Sequence, residues 1–307
     1  METAEKVDLK KQFSPFMLLW LAIISLGSFA AIFTFSWWGL GALVVLFFLT
    51  GWVGICAGYH RSLAHPSIQI NRCVHAVILF FGTASGQGPP KKWAAKHRKH
   101  HHCSDTPDDP HTPHHHGGLW RGLLYAHAGW LLWDFECPKA EWQKLFDKYL
   151  DDWKDDPIIL WLSTYHVHCH VFIGILLVLT GWLIGGWYIA LSMFIYGWPL
   201  RIFCVSNVTW AVNSVTHVPS LPLNYRNPHN EVVRDHSCNN VIVALLAGGE
   251  GWHANHHSFP TAANHGQVGF EKLFDPTFWL ILRPLRFFGL ATDLKKYVVS
   301  ERKLITI

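Results

Sequence analysis

The chain has 307 residues, 50% of them hydrophobic and only 15% charged, with a formal net charge of +4. An average soluble protein carries roughly 25% charged residues, and a charge this small and this dispersed excludes a nucleic-acid footprint while suiting anionic lipid head groups or an anionic substrate. The seven cysteines (Cys56, Cys73, Cys103, Cys137, Cys169, Cys204 and Cys238) contain no C-x2-C pair, which argues against a disulfide framework and a structural zinc ribbon.

Taken in chain order, the first long feature is an uncharged stretch between Gln12 and His60. It far exceeds the roughly 20 residues that one membrane-spanning helix needs, and Ser36-Trp37-Trp38-Gly39 splits it near the middle. Residues 158–200 form a second uncharged stretch, split at Gly185-Gly186-Trp187. The pattern predicts four transmembrane helices arranged as two hairpins, with spans near 16–35, 40–59, 168–183 and 188–208. Two buried hairpins of a soluble helical protein are the alternative, but core helices keep a polar stripe, and the initial apolar run is too long for a signal peptide.

Between the hairpins, 73–83 is apolar but too short to span, and is expected at the membrane interface. A helix is predicted from Lys91 to about Cys103, a loop over 104–118, an aromatic segment against the membrane over 120–135, and an amphipathic helix over 141–156. After the second hairpin, 210–217 continues as helix, 219–228 reads as loop, and 270–290 is a mixed apolar and basic segment placed on the bilayer.

The turns of both hairpins lack Lys and Arg. By contrast, Lys6, Lys10 and Lys11 precede the first span, Lys91, Lys92, Lys96, Arg98 and Lys99 lie between the hairpins, and Arg201, Arg226 and Arg234 follow. The positive-inside rule then puts both termini and the central segment in the cytoplasm. The expected fold is an all-α membrane protein, a single integral-membrane domain over 1–307, with a cytoplasmic helical cap (60–165 and 209–307) holding a poly-histidine dimetal site.

Histidine spacing points to that site. His60 and His65 form H-x4-H; His97, His100 and His101 form H-x2-HH; His253, His256 and His257 repeat it, and His217 stands alone. Residues at i, i+3 and i+4 share a helix face, so each box can converge, and all lie on the predicted cytoplasmic side. Nine imidazoles are too many for one zinc with its four ligands; they suit two metals, and all-nitrogen ligation favours iron, copper or zinc. The other thirteen histidines, among them His75, His127, His166, His170, His229, His236, His265 and the run His114–His116, are read as surface, core or interface residues.

The segments HRSLAH, HRKHHHCSDTPDDPH, HAGW, WAVNSVTH and GEGWHANHHSFP, between about residues 58 and 269, resemble the membrane-bound fatty acyl desaturases, specifically the Δ9 acyl-CoA or acyl-lipid branch. The extra His102 and the His114–His116 run do not belong to the family's pattern. The resemblance implies two iron ions held by His60, His65, His97, His100, His101, His217, His253, His256 and His257, with Asn213, one turn before His217, holding a metal-bound water. It leaves the division of the nine between the irons open, and assigns no catalytic residue beyond the metal centre.

The activity implied is oxygen-dependent introduction of a cis double bond, at Δ9, into a saturated long-chain acyl group, with O2 as co-substrate. A methylene has no acidic proton, so the metal carries the hard chemistry and the protein holds two adjacent carbons in a bent, dry tunnel. Counting back from His60 by α-helical turns, Cys56, Trp52 and Phe48 are candidates for the tunnel floor; their alternative is to face lipid. The sequence lacks a nucleotide-binding G-x-G-x-x-G, an iron–sulfur cysteine cluster and a fused cytochrome b5 motif, which implies an external electron donor, ferredoxin or cytochrome b5 with its reductase. The basic residues of 91–99 could dock it, or face solvent or lipid. Arg234, Asp235, Asn239 and Asn240 could contact the head group of either carrier, coenzyme A or a glycerolipid.

Two other readings stand beside this one. A diiron membrane hydroxylase of a lipid or alkane shares the histidine logic. A metal transporter would need ligands inside the spans, whereas these boxes lie outside them.

Overall fold

The computed structural model describes residues 13–133, 139–298 and 303–306; Lys6, Lys10, Lys11 and Cys137 lie outside them. Among the described residues helices dominate, and three apolar helical stretches are long enough to cross a membrane. The first, α1 (Pro15–Phe33), starts at Ser14, whose Oγ accepts from Met17 N, with Pro15 in the first turn, where its missing N–H costs nothing. Ser36 caps α2 (Trp37–Ala64) in the same way, accepting from Gly39 N at 2.9 Å. From Phe48 to Ala64, α2 is wound as a π-helix, a form found mostly as single turns near functional sites.

The third stretch, His166–His217, at 1.5 Å per residue is much too long for one crossing, and it does not run straight. Helix α8 (His166–Ile195) carries non-helical backbone at Gly185 and Gly186, the latter at φ 73°, a conformation that glycine adopts without steric cost. The chain folds back there, so that Gly181 abuts Ala190 and Leu177 abuts Gly197. A π turn, Tyr196–Leu200, leads into α9 (Arg201–Ser214), and a short 3-10 turn ends at His217. Hydroxyls tie the two hairpins together: Ser36 Oγ lies 2.7 Å from Ser192 Oγ, and Tyr196 donates to Ala31 O at 3.0 Å. Outward faces are apolar and open, including Leu26, Phe33 and Leu183, and Trp37 and Trp187 sit at the turns, as an aromatic membrane belt requires.

The remaining helices cap the ends of α2, α8 and α9. Helix α3 (Arg72–Thr83) packs along the π segment, so closely that a Cβ on Gly54 would fall 2.3 Å from Gly82 N. Helix α4 (Pro90–Cys103) lies beside α6 (Lys139–Tyr149) and α7 (Pro157–Thr164), with α5 (Leu119–His127) against α9. Helix α6 stops seven residues short of its predicted end. Asp156 begins a new helix by accepting from Ile158 N and Ile159 N, with Pro157 next, and a residue before proline resists helical backbone.

Helices α10 (Val241–Leu246), α11 (His253–Ser258) and α12 (Arg283–Phe287) follow α9. Among the described residues three short antiparallel pairs, unforeseen because such strands are too short to show alternation, pin the loops: β1 (Gln69–Ile70) to β4 (Ala291–Thr292), β2 (Asn224–Tyr225) to β3 (Asn239–Asn240), and β5 (Lys295–Val298) to β6 (Lys303–Thr306). One core cluster (Ile55, Tyr59, Leu63, Leu145, Ile159, Ile173) joins spans to cap. A second (Ala57, Ile68, Phe278, Leu282) draws part of the predicted surface segment against α2, while Phe270, Leu273, Leu280, Phe287 and Phe288 of 270–290 stand exposed.

Candidate metal centre

Four elements deliver the nine box histidines to one place. The π segment of α2 carries His60, and the chain leaves it at His65, whose N–H donates to His60 O at 2.9 Å. Helix α4 brings His97, His100 and His101, the end of α9's continuation brings His217, and α11 brings His253, His256 and His257. They form two groups, with ligand atoms within 4.8 Å of one another in each: His60, His65, His97, His101 and His256 in one, His100, His217, His253 and His257 in the other. Each H-x2-HH box is therefore divided. His97 and His101, four apart, share a face, whereas His100, adjacent to His101, points elsewhere, because neighbours on a helix do not face each other.

The arrangement fits metal ions. Nε2 atoms approach one another at 3.0 Å (His60–His256), 2.8 Å (His65–His97) and 2.9 Å (His101–His256) in the first group, and at 2.9 Å (His217–His253) and 3.3 Å (His100–His257) in the second. Two nitrogens each about 2.1 Å from one ion, at right angles, would be about 3.0 Å apart. Burial, followed by the repulsion of neighbouring imidazoles, holds His65, His97, His101, His253 and His256 well below the usual histidine pKa. Burial also brings His257 down to about 4, against the opposing pull of Asp235. These six rings are thus neutral, as ligation requires.

Carboxylates stand behind several rings. His217 Nδ1 donates to Asp105 at 2.9 Å, His100 Nδ1 to Asp109 at 2.9 Å and His257 Nδ1 to Asp235 at 2.5 Å, and His60 Nδ1 faces Glu250 at 2.5 Å. A proton held on Nδ1 leaves Nε2 bare for a metal and fixes the ring's orientation. Although burial opposes it, the paired histidines hold Asp105, Asp109 and Asp235 well below the usual carboxylate range; for Glu250, His60 and Arg61 do so. Backbone amides add to this: Asp109 accepts from Asp105 N and His111 N, and Asp105 from His236 N, cinching the loop after α4.

These carboxylates are the main omission of the sequence reading. Asp105 and Asp109 sit in a recognised motif without a role, and the signal available was their place just after a histidine box. Asp235, placed among possible head-group contacts, is instead committed to His257. Asn239 and Asn240 are buried, one against Asn255 and the other capping α10; of that set only Arg234 is exposed. Two histidines outside the boxes press on the centre: His265, with Nδ1 3.3 Å from Glu250 and its ring 4.5 Å from that of His256, and His111, 4.4 Å from the ring of His100. The others are engaged elsewhere, His75 with Ser62, His127 with Ser214 and Asn207, His114 with His217 O, and His170 edge-on to Trp20.

The basic residues of α4 are half-buried. Lys91 lies 4.5 Å over the Phe146 ring, Lys92 4.5 Å over Trp142 and Lys96 5.1 Å over Trp130. Arg98 donates to Leu63 O and Ala64 O at the end of α2, to Tyr149 O, and to both oxygens of Asp152.

A mostly apolar cavity runs from the histidines between α2, α9 and α10. His60, His97, His253 and Asn213 line one end, and Phe47, Trp52, Val205 and Leu246 the other. Of the three tunnel-floor candidates, Trp52 and Cys56 line this cavity and Phe48 does not; its ring packs against Trp52 at 5.8 Å and the Phe278 cluster. The reason is the π winding. A π-helix closes each ring one residue later than an α-helix, so successive turns before His60 bring Cys56 with Ile55, then Trp52 with Gly51, then Phe47, to the cavity.

Residues 35–266 match the fatty acid desaturase family. The chain is 35% identical over 261 residues to the sn-1 stearoyl-lipid 9-desaturase of Anabaena variabilis, covering 85% of each chain. It is 33% identical over 292 residues to the sn-2 palmitoyl-lipid 9-desaturase of Nostoc sp., covering 92% of this chain and 91% of that one. It is also 33% identical over 274 residues to the icosanoyl-CoA 5-desaturase of Limnanthes douglasii, covering 88% and 69%. With a family match that runs from the start of α2 through all three histidine boxes, the chain belongs to the fatty acid desaturase family of enzymes.

Proposed function

We propose that the protein introduces a cis double bond at position 9 of a saturated long-chain acyl group, through two irons held by the nine box histidines. The observation that carries this is the cavity, apolar along its length and ending on both histidine groups at once. Iron in those groups, with dioxygen as co-substrate, supplies the oxidising power that an unactivated methylene demands.

The chain's own residues do the placing. Phe47, Ile55, Val205, Val208, Val212 and Leu246 offer an apolar wall, and each methylene buried there contributes about 0.8 kcal/mol. Trp93 is stacked on His97 at 5.0 Å and lines the same cavity, so it fixes a ligand ring and bounds the substrate path together. Asn213 lines the cavity near His253, where its amide can hold a water at the four-histidine group. Asp105, Asp109, Asp235 and Glu250 keep protons on Nδ1 and so keep Nε2 free.

The carrier of the acyl group is a membrane glycerolipid or coenzyme A; relatives bear both descriptions, and the cavity mouth among half-exposed apolar residues of α2 and α10 favours the lipid. Electrons come from an external ferredoxin or cytochrome b5. We read the three apolar stretches as four membrane crossings in two hairpins, the third stretch crossing twice, in a single domain over 1–307 with the histidine cap cytoplasmic.

Expression in a desaturase-deficient host, followed by mapping of double bonds in its fatty acids by mass spectrometry, tests the reading. A new cis-9 monoene is expected, and loss of it with His217→Ala. A product that has gained oxygen instead would favour the hydroxylase, and a bond at another position would displace the regiochemistry alone.

A further inference from the structure

The two histidine groups differ in what stands behind their rings. Behind the four-histidine group are three carboxylates, Asp105, Asp109 and Asp235, each on a different ring. Among the described residues none of the three forms an ion pair with a lysine or arginine. Behind the five-histidine group, the one carboxylate on a ring among the described residues is Glu250, facing His60. Arg61 grips that same carboxylate at 3.0 Å and pairs with Asp275 at 2.9 Å. Two carboxylates and one guanidinium leave one net negative charge there, against three behind the other group. Among the described residues no carboxylate is paired with His65, His97, His101 or His256.

Exposure differs in the same direction. All four rings of the second group belong to buried residues, whereas His97 and His101 of the first are only half-buried. Buried charges are weakly screened and act strongly on a dication. A partner behind a ligand ring is typically worth 10- to 100-fold in metal affinity. Two such partners in excess outweigh the fifth imidazole of the other group, which is neutral.

We propose that the two metal positions are unequal: the four-histidine position holds its ion tightly, and the five-histidine position is the one that loses and regains its ion first. Asp105, Asp109 and Asp235 are the positioning residues responsible, and Arg61 is the residue that weakens Glu250 in the same role. The inference rests on the two-iron reading above.

Iron-loaded full-length protein in lipid nanodiscs, challenged with excess of a coloured ferrous chelator, gives the test. Release should occur in two phases of one iron per chain, at least tenfold apart in rate, with residual metal confirmed by mass spectrometry. Glu250→Gln should weaken only the first ion, by 10- to 100-fold, and Asp109→Asn only the second, drawing the phases together. Asp235→Asn repeats the second arm should Asp109→Asn melt early. Release of both ions in one phase, or an Asp109→Asn effect confined to the first phase, overturns the proposal while leaving the two-iron reading intact. Protein that takes up no iron when loaded overturns both.

Discussion

Replacing Phe47 and Phe48 separately by alanine distinguishes the π register of α2 from an α register. Phe47 lines the cavity and Phe48 packs away from it on Trp52 and the Phe278 cluster. Removing the Phe47 ring frees room for at least two further methylenes. At about 0.8 kcal/mol each, a chain two carbons longer gains about 1.6 kcal/mol, roughly 15-fold in the ratio of kcat/KM for the longer over the shorter chain. Phe48→Ala should leave that ratio alone and lower the melting temperature, since it removes packing between α2 and the C-terminal segment. The assay is competition between C16, C18 and C20 saturated acyl substrates, with products separated by gas chromatography. A longer product profile from Phe48→Ala with none from Phe47→Ala would refute the register argument. An unchanged profile from both would remove this cavity as the measure of chain length.

Two further outcomes follow from the same geometry. In metal-free protein, His65, His97, His101, His253 and His256 take protons far less readily than in the unfolded chain, and His257 does so only near pH 4. Their folded values are depressed, so this stability is fully present above about pH 6.5 and is lost as pH falls toward 4, by up to about 1.4 kcal/mol per unit for each ring; the four carboxylates, depressed below their usual range, stay ionised throughout. The melting temperature of chelated protein should fall steadily from pH 7 to pH 5, and a flat profile would contradict it. Arg98→Ala strips the partners from Leu63 O, Ala64 O and Tyr149 O and frees Asp152. Leaving such groups unsatisfied costs about 1–3 kcal/mol each, so the melting temperature should drop by several degrees, while Arg98→Lys recovers only part because it cannot reproduce the fork.

Much of this protein was legible in local pattern. Uncharged runs split by glycine and tryptophan mark the hairpins, since the cost of a charge in a bilayer acts residue by residue. The histidine boxes were legible for a related reason: spacing of three and four places imidazoles on one helix face wherever the helix lies. Asp156-Pro157 carried a helix boundary in plain view, and the predicted helix over 141–156 ran through it because its amphipathic pattern continued across the break.

What the chain order could not decide depends on how helices are turned against one another. The split of nine histidines into five and four needs the relative rotation of α2, α4, α9 and α11. The carboxylate behind His217 is 112 positions away, and the Arg61–Glu250 contact spans 189. The π winding of α2 has no local signature, yet it moves the cavity wall from Phe48 to Phe47. Composition and spacing by themselves determined long apolar helices and a poly-histidine centre. Only the tertiary structure decided which rings meet, which carboxylates stand behind them and which side chains face the substrate, because those are properties of packed surfaces and not of any one segment.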